Sequence, residues 1–151
     1  MTDLKERLRA DLTTAMKARD ELRSATLRMV LTAVKTEEVA GKEARELTDE
    51  EVVTVLGREA KKRREAAEAF DSGGRPERAE RERAEGALID AYLPAQLSDD
   101  ELSQLVASAI AESGAEGPRG MGAAMKVLSP KTAGRAEGGR VAAEVRRHLA
   151  G

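Results

Sequence analysis

The side chains best able to do chemistry lie late in the chain. Lys126, Lys131, Arg135 and Arg140 are spread along a backbone interrupted by Gly134, Gly138 and Gly139. Glycine has no Cβ and lets backbone N–H groups approach a ligand, while ammonium and guanidinium groups neutralise phosphate oxygens. Phosphate contact is therefore the chemistry this stretch could perform. The same glycines suit tight turns between packed helices, and that structural reading stands beside the functional one. No aromatic residue follows Tyr92. Base stacking is then unavailable there, and any nucleic acid would be held through its backbone and shape.

Other chemistry is scarce. The single histidine, His148, follows Arg146 and Arg147 at the end of the last helical pattern, where positive charge is favoured by the helix dipole. Without cysteine, disulfides and thiolate metal sites are excluded. No serine or threonine sits in a nucleophile-elbow pattern. The phosphate-loop pattern is missing, and Gly120-x-Gly122 follows no strand. Carboxylates are plentiful but dispersed in mixed-charge helices, so no catalytic residue, metal ligand or cofactor is assigned. A second basic cluster, Lys61-Lys62-Arg63-Arg64, could grip phosphates, yet Glu59, Glu65 and Glu68 offset it along the same helix. It reads as a solvated face.

The elements that position these residues are helices. Leu4, Leu8, Leu12 and Met16 form the stripe of a helix over 2–18. A second, over 20–40, carries a wide stripe around Met29, Val30, Ala33 and Val34, with Gly41 as its stop. Thr48 and Glu51 form a capping box for a third helix. The turn 72–76, with Pro76 at a first helical position, leads into a fourth helix that ends before Pro94. Helices three and four make an antiparallel hairpin, charged on all sides at its far end. Tyr92, Leu93 and Pro94 form a joint. Ser98 and Glu101 then make a second capping box for a fifth helix that ends at Gly114. Met121, Ala124, Met125 and Leu128 at helical spacing predict a sixth, stopped by Pro130. A glycine-rich loop over 131–139 precedes a seventh with Val141, Val145, His148 and Leu149 on one face. The expected fold is all-α: a four-helix N-terminal part over 1–93 and a three-helix tail domain over 94–151.

Composition agrees. Charged residues make up 36% of the chain and aromatics 1%, so the cores must be built from Leu, Val, Ala and Met between long solvated faces. No apolar run approaches a membrane span, and the charged start is unlike a signal peptide. A cytoplasmic protein with no membrane partner is the expectation. The formal charge of −2 argues against a globally basic nucleic-acid binder. Charge is nonetheless polarised locally: residues 93–116 hold five acids and no base, while 117–151 hold seven bases and two acids. The simplest consequence is that the two segments pair with each other.

Met121-Gly122-x-x-Met125, Pro130-Lys131, Gly134-Arg135-Ala136-x-Gly138 and Val141-x-x-x-Val145 together resemble the C-terminal half of the YqeY family. That module is similar to the tail domain of the B subunit of the glutamyl/aspartyl-tRNA amidotransferase. Tyr92-Leu93-Pro94-Ala95-Gln96-Leu97-Ser98 and Lys35-Thr36-Glu37 extend the resemblance over essentially the whole chain. Glu137 and Ser129 depart mildly from it, standing where an aspartate and a bulkier apolar residue are expected. The resemblance implies a module that contacts tRNA or associates with the amidotransferase, with the surface around Met121, Lys126, Lys131, Gly134 and Arg135 as the contact.

Three functions follow for comparison. The first is a non-catalytic tRNA-binding accessory of tRNA-dependent amidation or translation, using Lys126, Lys131, Gly134, Arg135 and Arg140. The second is a protein-interaction module that docks a partner through the charged hairpin 58–85. The third is an amidotransferase-like carbon–nitrogen ligase with glutamine as amido donor, for which the sequence displays no active site.

Overall fold

The computed structural model describes residues 3–150. The expected start of the first helix at Thr2 falls outside them. Among the described residues the regular elements are seven α-helices and one 3-10 turn, with no strand. They are α1 (Asp3–Lys17), α2 (Glu21–Glu38), α3 (Asp49–Ser72), α4 (Pro76–Asp90), α5 (Asp99–Ser113), the 3-10 turn (Pro118–Gly120), α6 (Met121–Thr132) and α7 (Gly138–Ala150). The all-helical expectation holds. The chain divides into two compact units, Met1–Leu93 and Pro94–Gly151.

The first unit packs α1 to α4 around Leu8, Val30, Val34, Val52 and Leu56, none more than 1% exposed. Burying each such side chain stabilises the fold by about 1.5–3 kcal/mol before entropy is counted. The α3 capping box forms as its spacing dictates. Thr48 Oγ1 accepts the Glu51 N–H at 3.3 Å, and Glu51 Oε1 accepts the Thr48 N–H at 3.2 Å. Arg45 also pairs with Glu51 and is the main reason its carboxyl titrates low, at about 2. Gly74, at φ +72°, turns the chain into α4, whose first residue is Pro76. Asp71 pairs with Arg83 at 2.7 Å near that turn, and further back Arg63 reaches Glu82 and Glu85 at 3.4 Å each.

The end of α2 differs from expectation. It stops at Glu38, before Gly41, where the connection to α3 turns back onto its last groups. The Glu38 carbonyl accepts the Arg45 N–H at 3.0 Å instead of continuing the helix. The Glu38 side chain, 6% exposed, turns inward to Lys5 Nζ at 2.6 Å and accepts the Leu47 N–H at 3.1 Å.

The second unit closes α5, α6 and α7 around Leu102, Val106, Leu128, Val141 and Val145. Ser98 and Glu101 cap α5 reciprocally at 3.1 and 2.9 Å. Gly114, at φ +69°, ends it with its N–H on the Ile110 carbonyl, the left-handed stop that glycine adopts without a Cβ clash.

Pro130 does not stop α6, which continues to Thr132 with the proline inside its last turn. Proline removes one N–H, but the turn is closed by other groups. Ser129 Oγ donates to the Met125 carbonyl at 2.7 Å, Thr132 Oγ1 donates to Leu128 O at 3.3 Å, and the Ala133 N–H reaches Ser129 O at 3.0 Å. The glycine-rich loop is correspondingly shorter than 131–139. It spans 133–137, and Gly138 and Gly139 are the first residues of α7.

Candidate nucleic-acid interface

The α6–α7 turn gathers four of the five candidate contact residues. Lys131 is on the last turn of α6, Gly134 and Arg135 are in the connection, and Arg140 is in the first turn of α7. Gly134 has φ +73°, so only there does the turn itself demand glycine. A Cβ on Gly138 would meet nothing within 4 Å, and one on Gly139 would lie 3.8 Å from Glu137 Oε1, so a carboxylate stands beside the start of α7. The first turns of α1 to α5 all contain acids, whereas those of α6 and α7 contain none. Glu137 stands immediately before α7. Lys126, exposed in mid-α6, lies more than a helical turn from Lys131 and is not brought to this connection.

The cations at the turn are already engaged. Lys131 Nζ is 3.2 Å from Glu112 Oε2, and an Arg140 terminal nitrogen is 2.8 Å from Asp99 Oδ1. Arg135 Nε donates to the Ala95 carbonyl at 3.3 Å. The backbone of the turn is held as well: Gln96 Nε2 donates to Gly134 O at 2.9 Å, and the Leu97 N–H to Arg135 O at 2.8 Å. These acidic and carbonyl partners belong to α5 and the segment leading into it. The polarised charge of 93–116 against 117–151 was the sequence signal for them. By contrast, Arg119, Lys126 and Arg146 are exposed and make no ion pair among the described residues. Of these, only Lys126 was singled out by sequence.

His148 is half-buried, and its Nε2 lies 3.1 Å from Ser103 Oγ and 3.0 Å from Glu144 Oε1. Both partners meet the same ring nitrogen, so the imidazole cannot pass a proton from the serine to the acid as a catalytic triad does. The group ties α7 to α5. Glu144 also pairs with Arg147, and that pairing, more than the histidine, holds its carboxyl below the usual range.

In the first unit, the cluster 61–64 is dispersed around α3. Lys61 approaches Glu65 at 3.9 Å, Lys62 approaches Glu59 at 3.0 Å, and Arg63 turns inward toward Glu82 and Glu85. Tyr92 anchors to its own unit: its hydroxyl donates to Asp11, and the Arg7 guanidinium lies 4.8 Å from the ring centroid. Among the described residues no group of three His, Asp or Glu side chains is arranged to hold a metal ion, and no helix is long and apolar enough to cross a membrane.

Fold and site together define a small, all-helical protein whose most concentrated chemistry is a cation-bearing turn between two short helices. The family described as Yqey-like protein matches residues 5–149, nearly the whole chain. The chain belongs to that family. No curated protein matches it.

Proposed function

We propose that this protein is a non-catalytic module that contacts the backbone of tRNA through the basic α6–α7 helix–turn–helix, as an accessory of tRNA-dependent amidation or translation in the cytoplasm. In this reading it works as a four-helix part with its charged hairpin and a three-helix tail, jointed at Tyr92, Leu93 and Pro94. The observation that carries it is the collection of Lys131, Gly134, Arg135 and Arg140 around one turn, beside a helix start that holds no acid in its first turn. The unit offers no aromatic side chain, so contact runs to phosphate and sugar and is tolerant of sequence. Lys126 adds a free cation on the outer face of α6.

The test is binding of deacylated bulk tRNA to the wild type and to Lys131→Ala/Arg135→Ala/Arg140→Ala at two salt concentrations. The wild type is expected to bind with a log–log salt slope of roughly −2 to −3, as about three phosphate contacts require, and the variant is expected to lose binding. A wild type that fails to bind tRNA at low salt overturns the reading. Charge on the hairpin 58–85 is largely paired within the first unit, which gives the protein-docking reading less support.

A further inference from the structure

The three cations of the α6–α7 turn face one acidic neighbour. Helix α5 contains Asp99, Asp100, Glu101 and Glu112 and no basic residue. Two of these acids hold turn cations directly: Asp99 on Arg140 at 2.8 Å and Glu112 on Lys131 at 3.2 Å. Glu101 titrates low, chiefly because the Ser98 N–H and hydroxyl bond to it, with Arg135 as a further positive contributor. Arg135 itself reaches a carbonyl, Ala95 O. Each cation therefore meets an oxygen acceptor of the kind a phosphate would present. The acids are bound loosely, since the Asp99 side chain is 99% exposed and that of Glu112 62%. Exposed pairs of this kind are weak and exchangeable.

We propose that α5 is an internal stand-in for phosphate: Asp99 and Glu112 mask Arg140 and Lys131, and a polyanion binds by displacing these two carboxylates. The mask rests on the tRNA reading for the identity of the partner, but the exchange itself applies to any polyphosphate. It sets a threshold. The two masked pairs stand at opposite ends of α5, about 20 Å apart along its axis, so a short anion meets only one of them at a time, whereas a long polyanion such as RNA displaces both acids together. The masked state also keeps a basic turn from collecting stray anions.

The experiment compares the full-length wild type with Asp99→Asn, Glu112→Gln, their double variant and Asp100→Asn. The probes are bulk tRNA and inorganic tripolyphosphate. Asp100 is the control, because it neighbours Asp99 in the first turn of α5 and makes no ion pair among the described residues. Its replacement removes the same charge without freeing a cation. Helical content and melting temperature are recorded for every variant.

An exposed pair is worth about 1.4- to fivefold in an equilibrium constant, so the double variant is expected to bind tRNA roughly 2- to 25-fold, and tripolyphosphate up to about fivefold, more tightly than the wild type. Asp100→Asn is expected to change binding by less than about twofold. If the double variant gains no more than Asp100→Asn, the mask is refuted, even where tRNA binds. If tripolyphosphate shows the gain and tRNA binds no variant, the mask stands and the tRNA reading falls. If neither probe binds any variant, both fall.

Discussion

Replacing Lys5 by methionine tests an ion pair that is buried on both sides. Lys5 and Glu38 are 7% and 6% exposed, their charged atoms are 2.6 Å apart, and the same Glu38 oxygen accepts the Leu47 N–H at 3.1 Å. The pair thus fastens α1 to the end of α2 and to the chain entering α3. Methionine keeps the apolar stem but strands the carboxylate. Breaking a buried pair in this way costs about 3–5 kcal/mol. Glu38 retains one donor and lies just beneath the surface, so the lower end, about 3 kcal/mol, applies. With a urea slope of about 1.5 kcal/mol/M for a unit of this size, the midpoint should fall by roughly 2 M. Fluorescence of Tyr92, the only tyrosine in a chain without tryptophan, follows the first unit selectively. A Lys5→Met/Glu38→Leu chain, with no stranded charge, should recover part of the loss. The pH dependence has a defined sign. The Glu38 carboxyl is held low, first by Lys5 and then by the Leu47 N–H. Its stabilisation is therefore complete above the ordinary glutamate value of about 4.5 and fades as pH falls through the lowered folded value. A midpoint shift below about 0.3 M for Lys5→Met would refute the reasoning, because the pair would then behave as a surface one.

Other perturbations test other joints. A Cβ on Gly120 would sit 2.7 Å from Ala115 Cβ, so Gly120→Ala should cost about 1–3 kcal/mol by overpacking. Ala115→Gly in the same chain should restore only part of the melting temperature, because the Cα and carbonyl carbon of residue 115 still lie 3.0 and 3.1 Å from the new Cβ. Gly134→Ala forces a non-glycine residue to φ +73° and should cost about 1–2 kcal/mol; in thermal melts, an unchanged transition would count against that backbone. Burial first and Asp11 second push the Tyr92 hydroxyl up to about 12. Its absorbance titration should centre near 12 in the folded protein and near 10 in urea, and the stability it contributes should be lost as pH rises between those values. Asp11→Asn should bring the folded midpoint down.

Helix existence and most helix ends followed from local sequence. The boxes Thr48/Glu51 and Ser98/Glu101, the Pro76 start and the Gly114 stop each depend on groups within three or four residues, and each formed. Three ends did not follow, α7 starting at Gly138 inside the loop expected over 131–139. Gly41 lost its role because the Arg45 N–H takes the Glu38 carbonyl and Lys5, 33 residues away, takes its side chain. Pro130 did not stop α6: it removes only the N–H that would reach the Lys126 carbonyl, and the Ala133 N–H still closes the last turn on Ser129 O at 3.0 Å. The candidate contact residues were likewise legible as types and spacings, since cations beside glycines advertise anion chemistry. Their occupation was not. Lys131 meets an acid 19 residues away and Arg140 one 41 residues away, and helical periodicity says nothing about which faces of two helices will meet. Sequence alone determined the helices, their caps and the polarised charge, because these are settled over one or two turns of backbone. The tertiary structure alone decided which charges neutralise each other, because that depends on how the hydrophobic faces of α5, α6 and α7 rotate to bury Leu102, Val106, Leu128, Val141 and Val145.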